Sequence, residues 1–183
     1  FSVMGHSWGG FSTLNISALH PEISHIVVLS GFISIEAMLS QFIPSALSFL
    51  AKPIFKVEKK YNPESIKYNA VETLRNTKAR VLLIYSDNDP AVKKDVHFEA
   101  LRKGLEGKEN IKLILASEKG HNPNYTKEAI KLLAEYTSEL GRKNKSKELQ
   151  TDAQKKAFVE SFDWDKITEQ DEDIWAEIYK AME

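Results

Sequence analysis

The sequence predicts an α/β fold in which a parallel sheet is flanked by helices. Its strand-like segments are continuous apolar runs, such as the Ile-Val-Val-Leu of residues 26–29, and such runs are typical of strands buried on both faces. These segments alternate along the chain with stretches of helix length, which is the pattern of parallel strands joined by crossover helices. With 183 residues, 42% of them hydrophobic, the chain is long and apolar enough for one domain with its own core.

The first segments predict a strand, a helix and a second strand. Residues 1–4 form a short apolar run, and Gly-His-Ser-Trp-Gly-Gly at residues 5–10 then opens a helix that extends to about Leu19. Pro21 ends this helix, because proline disfavours a helical conformation in the residue before it. Residues 26–29 predict a second, fully buried strand, which a Ser-Gly pair terminates.

The middle of the chain predicts a cap, a helix and a third strand. Residues 32–60 are apolar but irregular and are interrupted by Pro44 and Pro53, which favours short helices packed as a cap-like insertion. Residues 69–76 predict a helix, and the Arg-Val-Leu-Leu-Ile-Tyr of residues 80–85 predicts another buried strand. The apolar side chains of the cap could line a substrate pocket, although such residues at helical spacing are more often core.

Two further helices and a fourth strand complete the predicted domain. Residues 94–104 predict a helix that ends at its glycine, and residues 111–116 predict a strand. Residues 124–140 predict a helix with Gly141 as its stop, since glycine commonly follows the last helical residue. We therefore expect the main domain to span residues 1–141.

Residues 142–183 predict a charged linker and a carboxy-terminal helix. Residues 142–156 are mainly basic and are expected to be a solvated linker, whereas the remainder is mainly acidic. Thr-Glu-Gln-Asp at residues 168–171 is a plausible helix cap, and apolar side chains at helical spacing follow it. This tail is expected to pack on its own domain or remain solvated rather than recruit a partner. The oligomeric state is left open.

Composition excludes several classes of function. The net charge of −1 gives no overall field that would attract nucleic acid or an anionic membrane, so small neutral substrates are expected. The absence of cysteine removes a disulfide scaffold, a thiolate metal site and a cysteine nucleophile. The sequence contains no apolar run of the roughly 18 residues that span a membrane, no phosphate-binding glycine loop and no metal-ligand spacing. No metal or other cofactor is therefore expected.

A Gly-x-Ser-x-Gly motif surrounds Ser7 and lies between an apolar strand and a helix, the setting in which a sharp turn exposes a serine hydroxyl. Gly5 and Gly9 stand where a Cβ is expected to crowd this turn, and Gly10 would allow a close approach of the helix. The start of the helix directs its dipole and its free backbone N–H groups at the serine. The backbone N–H of Trp8 is therefore a candidate donor to an oxyanion, whereas its ring is as consistent with core packing as with substrate contact.

A serine hydroxyl needs a base to become a nucleophile and a third group to orient that base. Asp89 follows the third predicted strand and His121 follows the fourth, so both are expected at the same edge of the parallel sheet as Ser7. Asp87 is the alternative acid, two residues before Asp89. The remaining histidines are expected to be ordinary surface or core residues: His6, His20, His25 and His97.

Three segments together resemble the α/β-hydrolase superfamily: Gly-His-Ser-Trp-Gly-Gly, Ser-Asp-Asn-Asp-Pro-Ala-Val and Lys-Gly-His-Asn-Pro, with the chain order Ser, Asp, His. The resemblance covers about residues 1–141 and is closest to single-domain esterases and to the catalytic domains of prolyl-oligopeptidase-like peptidases. It implies that Ser7 is the nucleophile, His121 the general base and Asp89 the acid, with Asp89 favoured over Asp87.

The same resemblance implies a serine hydrolase that cleaves a carboxylic ester or a similar acyl bond through an acyl-enzyme on Ser7, without a cofactor. Its substrate would be a small acyl compound or a peptide. A serine peptidase of the prolyl-oligopeptidase type and a binding member of the fold without turnover are the alternatives. The resemblance also implies that the amino-terminal strands of the usual sheet, and the loop that donates the second oxyanion N–H, are absent from this sequence. The start at Phe1 rather than methionine agrees with that expectation and leaves the compartment open.

Overall fold

The computed structural model describes the backbone of residues 1–183 and all side chains except three: Ser45, Ser48 and Leu50. The chain forms two compact units. The first comprises Phe1–Pro123 and Ala176–Glu183, and the second comprises Asn124–Trp175. The boundary expected from the sequence, between residues 141 and 142, therefore falls inside the second unit.

A four-stranded parallel sheet lies at the centre of the first unit, as the sequence predicted. Its spatial order follows the chain: β1 (Ser2–His6), β2 (His25–Leu29), β3 (Arg80–Ser86) and β4 (Ile111–Ala116). Leu29 at the end of β2 pairs with His6 on one side and with Ile84 on the other. Because the strands are parallel and end close to the same level, the segments that follow β1, β3 and β4 meet at one edge of the sheet.

The two inner strands are buried on both faces. Ile26, Val27 and Val28 of β2 are fully buried, and so are Leu83 and Ile84 of β3. This burial is the reason why the two strands appear in the sequence as continuous apolar runs rather than alternating ones. Each fully buried side chain of this kind stabilises the fold by about 1.5–3 kcal/mol relative to an exposed one, so these strands anchor the unit that carries the site.

The helices of the first unit follow the predicted order: α1 (Ser7–Asn15), α2 (Ile35–Ser40), α3 (Ala51–Tyr61), α4 (Ala70–Asn76) and α5 (Phe98–Gly104). Shorter 3₁₀ turns occupy Ile16–Ala18 and Ser45–Leu50. The side chain of Ser34 caps α2 and that of Asn69 caps α4, since each accepts a hydrogen bond from a backbone N–H of the first turn. Residues 32–60 thus contain short helices, and their role as a cap stays a prediction.

The second unit is helical. It contains α6 (Lys127–Lys145), α7 (Asp152–Glu160), α8 (Trp164–Ile167) and the first residues of α9 (Glu172–Met182). The ring of Tyr136 on α6 contacts three aromatic rings at centroid distances of 5.0–5.5 Å: Phe158, Phe162 and Trp164. These contacts hold α6, α7 and α8 together.

Among the residues that the structure describes, no helix is long and apolar enough to cross a membrane.

The end predicted for α6 at Gly141 was wrong, because the helix continues to Lys145. Gly141 keeps a right-handed helical conformation, and the left-handed residue that follows the helix is Lys147, with a φ of 60°. A left-handed residue just after a helix is what ends it, whichever amino acid supplies it. Residues 142–156 therefore include the last turn of α6 and the start of α7 rather than forming a linker throughout.

The helix cap predicted at residues 168–171 was correct for its last residue only. The side chain of Asp171 accepts a hydrogen bond from the N–H of Ile174 at 3.1 Å and so caps α9. Thr168 instead follows the last residue of α8 and donates its hydroxyl to the carbonyl oxygen of Trp164 at 2.7 Å. Thr168 is thus occupied by the preceding helix, which the sequence pattern did not reveal.

Candidate active site

Ser7 lies at the turn between β1 and α1, of which it is the first residue. Its backbone φ is 56°, in the left-handed region that residues other than glycine rarely occupy. Such a conformation costs about 1–3 kcal/mol and persists where the surrounding structure imposes it, as it does at many functional sites. The turn places the Ser7 hydroxyl at the carboxyl edge of the sheet, in the arrangement of a nucleophile elbow.

Two glycines of the motif are required by the packing of this turn. A Cβ on Gly5 would overlap the carbonyl oxygen of Gly9 and the hydroxyl of Thr13. A Cβ on Gly10 would lie 2.8 Å from the Cα of Gly31, so glycine allows α1 to approach the segment after β2. A Cβ on Gly9 would meet none of the described atoms within 4 Å outside its own helix, so the crowding expected at Gly9 was wrong.

Trp8 is the second residue of α1, and its backbone N–H belongs to the first turn, where N–H groups have no acceptor within the helix. The start of the helix also carries a partial positive charge beside Ser7. Trp8 is 61% exposed, and its ring meets the ring of Phe32 edge-on at a centroid distance of 5.0 Å. The ring is therefore both packed and open to solvent, and the backbone N–H remains the candidate oxyanion donor.

His121 contacts both of the other predicted catalytic residues. Its Nε2 lies 2.8 Å from the Oγ of Ser7, and its Nδ1 lies 2.8 Å from Oδ2 of Asp89. Because an ionised carboxylate only accepts hydrogen bonds, the neutral ring carries its proton on Nδ1, and Nε2 accepts the hydrogen bond of the Ser7 hydroxyl. The side chain of Asp89 is fully buried and that of His121 is 25% exposed. The structure thus brings Ser7, His121 and Asp89 together in one hydrogen-bonded chain.

The two carboxylates that follow β3 have different partners. The second oxygen of Asp89 accepts hydrogen bonds from two backbone N–H groups of the next turn, at 2.8 and 2.9 Å, so the carboxylate is held toward His121. Asp87 instead accepts from the hydroxyl of Ser117 at 2.9 Å and from the N–H of Glu118 at 2.8 Å. Asp89 is therefore the carboxylate that reaches the histidine.

Across the described residues, no group of three or more His, Asp or Glu side chains is placed to hold a metal ion.

Residues 117–121, which we call the histidine loop, are hydrogen-bonded at two further points, one at the last residue of β3 and one in the segment after it. The Oγ of Ser86 accepts the N–H of Lys119 at 3.0 Å, and Oδ1 of Asn88 accepts the N–H of Gly120 at 2.8 Å. Two residues of the loop have left-handed φ angles, of 59° and 55°. Sequence reasoning missed this attachment. Its signal was a run of short polar side chains directly after a buried strand.

His6 also lies against the site, although the sequence gave no indication of it. Its Nε2–H donates a hydrogen bond to the backbone carbonyl oxygen of His121 at 2.7 Å, and the two rings are 4.8 Å apart. The other two histidines near the surface fit the ordinary expectation. His20 pairs with Glu22, and His25 begins β2 at the opposite end of the sheet.

His97 is a buried residue, and it belongs to a hydrogen-bond network near Asp89. It is fully buried, its Nδ1 accepts the N–H of Ile33 at 3.3 Å, and its Nε2–H donates to Oε1 of Gln41 at 3.2 Å. Burial lowers the pKa of His97 to about 4. The amide of Gln41 in turn donates to the carbonyl oxygen of Ala91 at 2.8 Å. The network therefore connects the segment after β2 with the turn that follows Asp89.

The comparison with family models identifies the chain. The model of the prolyl oligopeptidase family, peptidase family S9, matches residues 1–143. The chain belongs to the prolyl oligopeptidase family. The match includes all four strands and the three residues of the candidate triad, and it confirms the α/β-hydrolase resemblance seen in the sequence motifs. A search of curated proteins found no match to this chain.

This chain is similar in fold to several solved structures, and three of them are a peptidase, an esterase and a putative aminopeptidase. A puromycin-hydrolyzing peptidase of Mycobacterium tuberculosis has 18% identity and a TM-score of 0.50, over 66% of this chain and 18% of that chain. Acetyl xylan esterase 1 from Thermoanaerobacterium sp. has 19% identity and a TM-score of 0.47, over 67% and 40%. A putative dipeptidyl aminopeptidase IV from Bacteroides ovatus has 19% identity and a TM-score of 0.49, over 75% and 18%.

At these identities the likeness concerns the fold alone, and the sheet of this family member is part of an α/β-hydrolase fold. This family member spans between 18% and 40% of the length of those three proteins. The solved relatives are therefore much longer than the chain described here.

Proposed function

We propose that this chain carries the catalytic residues of a serine hydrolase that cleaves a carboxylic ester or a similar acyl bond through an acyl-enzyme on Ser7. The observation that carries the proposal is the hydrogen-bonded chain from the Ser7 hydroxyl through His121 to the buried Asp89. Membership of the prolyl oligopeptidase family supports hydrolysis as the general reaction. We assign the catalytic portion to residues 1–141, which contain all three of these residues.

The reaction begins when the Oγ of Ser7 attacks the carbonyl carbon of the substrate and the hydroxyl proton moves to Nε2 of His121. The carbonyl oxygen becomes an oxyanion, to which the backbone N–H of Trp8 donates one hydrogen bond. When the tetrahedral intermediate collapses, His121 gives its proton to the leaving alcohol or amine, and the acyl group stays on Ser7. A water molecule that His121 deprotonates then attacks the acyl carbon. The bond to the Oγ of Ser7 breaks, His121 returns its proton to that Oγ, and the acid is released. No cofactor takes part in these steps.

Asp89 has two tasks in this mechanism. Its Oδ2 holds the Nδ1 proton of His121, which leaves Nε2 free to receive the proton of Ser7. Once that proton has moved, the imidazole is a cation next to a buried carboxylate, and their attraction stabilises the transition state. The second oxygen of Asp89 is already bonded to two backbone N–H groups, so the carboxylate does not need to reorganise during the reaction.

Hydrolysis of a peptide bond is the second candidate function. The match to a family of peptidases supports it, and so does the likeness in fold to a peptidase of far greater length. The same three residues serve both reactions, since ester and peptide cleavage share the acyl-enzyme and differ in the leaving group that His121 protonates. The substrate is therefore a small acyl compound or a peptide, and its class has to be decided by assay.

The test is covalent capture of the nucleophile by a fluorophosphonate in the full-length protein. We expect labelling of the wild-type protein and of a Ser12→Ala control, because Ser12 is an exposed serine on the same helix, and no labelling of Ser7→Ala. Labelling of Ser7→Ala at the wild-type rate would contradict the assignment of the nucleophile. Absence of labelling in the folded wild-type protein would favour a binding member of the fold that has no turnover.

The bond that is cleaved can be identified with two series of substrates. p-Nitrophenyl esters from acetate to octanoate report ester hydrolysis and the length of the acyl pocket, and peptide anilides report peptidase activity. We expect turnover of the esters that disappears in Ser7→Ala. Efficient turnover of the anilides with poor turnover of every ester would replace the ester proposal with the peptidase one.

A further inference from the structure

His6 is the last residue of β1 and directly precedes Ser7. Its side chain reaches across to the histidine loop, where Nε2–H donates to the backbone carbonyl oxygen of His121 at 2.7 Å. The two imidazole rings lie 4.8 Å apart at an angle of 50°. One residue of the nucleophile strand therefore contacts both the main chain and the ring of the residue that must accept the proton of Ser7.

The chemistry of this contact fixes the state of His6. A backbone carbonyl oxygen only accepts hydrogen bonds, so Nε2 of His6 must carry a proton. Burial lowers the pKa of His6, which favours the neutral ring with a single proton on Nε2. A neutral ring is the form compatible with the mechanism, because a second cation beside His121 would oppose the charge that His121 acquires. His6 thus acts as a neutral hydrogen-bond donor.

The side chains that follow or end β3 hold the histidine loop through residues 117–120. Ser86, Asp87 and Asn88 bond to residues 117–120 on the side of the acid. The carbonyl group of His121 itself is held by His6, from the side of the nucleophile. Rotation of this peptide group would move the imidazole away from both of its partners, which lie at 2.8 Å on either side.

We propose that His6 is a positioning residue for the candidate triad: its Nε2–H fixes the main chain of His121 so that the imidazole stays between Ser7 and Asp89. This inference rests on the proposed function of Ser7 and His121. His6 does not touch the substrate or exchange a proton. It couples the position of the base to the strand that carries the nucleophile, so that the two move together.

Three substitutions in the full-length protein separate the hydrogen bond from the bulk of the side chain. His6→Gln places an amide N–H at nearly the reach of Nε2, His6→Asn carries the same amide one methylene too short, and His6→Phe keeps the ring without the donor. His25→Phe is the matched control, because His25 lies at the opposite end of the sheet. Each variant is first checked for a cooperative thermal transition.

We expect fluorophosphonate labelling of Ser7 to slow about 100-fold in His6→Asn and His6→Phe, the loss typical of a reacting group displaced by about 1 Å. His6→Gln and His25→Phe should label close to the wild-type rate. With a substrate, the loss should appear in kcat, and KM should stay close to the wild-type value. Labelling of His6→Asn and His6→Phe at the wild-type rate would overturn the proposal, and so would an equal loss in His6→Gln.

A spectroscopic measurement reports the position of the base without requiring turnover. An Nδ1 proton held against a carboxylate gives a far-downfield proton resonance, which broadens when the ring moves and the proton exchanges with water. We expect the resonance of His121 in the wild-type protein and in His6→Gln, and its loss in His6→Asn. If the wild-type protein is not labelled by the fluorophosphonate, the proposed function is refuted. The Nδ1 proton resonance of His121 would then be the measurement that decides whether His6 positions the ring. A resonance that persists unchanged in His6→Asn would overturn that role.

Discussion

Asp89→Asn is the substitution that most directly tests the arrangement of the site. The oxygen of the introduced side-chain amide can still accept the two backbone N–H groups that Oδ1 of Asp89 now accepts, at 2.8 and 2.9 Å, so the turn should remain folded. The amide nitrogen then faces Nδ1 of His121 and donates to it. This forces the ring proton onto Nε2, which faces Ser7 and can no longer receive its proton.

The loss of the correct tautomer should lower kcat by about 10⁴, which corresponds to about 5.5 kcal/mol of activation free energy. Asp87→Asn is the matched control, because its amide can still bond to both Ser117 and Glu118 at the same positions. We expect its kcat to fall by less than about tenfold, since each hydrogen bond involved is worth about 1 kcal/mol. Pre-steady-state acylation by p-nitrophenyl acetate measures both effects. A large loss in Asp87→Asn with a small one in Asp89→Asn would refute the assignment of the acid.

Two further predictions concern stability. Between pH 7 and pH 4, the free energy of unfolding of the wild-type protein should fall by about 3 kcal/mol more than that of His97→Gln. The unfolded chain takes up a proton at His97 near pH 6.5 and the folded protein only at about pH 4, so acid favours the unfolded state in that window; parallel curves from urea titrations would contradict this. Gly5→Ala should destabilise by about 1–3 kcal/mol through overlap, whereas Gly9→Ala should stabilise by up to about 1 kcal/mol as a better helix former. Thermal unfolding checks this pair, and a destabilised Gly9→Ala would contradict it.

The strands could be predicted because strands buried on both faces appear in the sequence as continuous apolar runs. The fourth strand has the predicted limits, and the second and third extend only one residue beyond them. The ends of the helices were harder to predict from the sequence, because they depend on backbone angles that several residue types can adopt. Lys147, rather than Gly141, supplies the left-handed residue after α6. Similarly, α5 begins at Phe98 and not at residue 94, since the preceding residues form turns.

The residues of the candidate site could be predicted from the sequence, but the contacts that hold them in place could not. Ser7, Asp89 and His121 could be named because each follows a strand of one parallel sheet, and the structure places them within hydrogen-bonding distance. Their catalytic roles remain a proposal. The contact of His6 with the main chain of the base could not be predicted, because the direction of a side chain at the end of a strand depends on the loop that packs against it. The same holds for Asp87, whose partners lie 30 residues further along the chain.

Because the histidine loop is attached to the end of β3 and to the segment after it, Asp89 and His121 are positioned as one unit. The three consecutive side chains of residues 86–88 together hold four residues of the loop, 117–120, and Asp87 bonds to two of them. A graft that replaced either segment alone would leave the buried N–H of Lys119 without its acceptor and would displace the imidazole. A redesign of this site should therefore transplant residues 86–92 and 117–121 together.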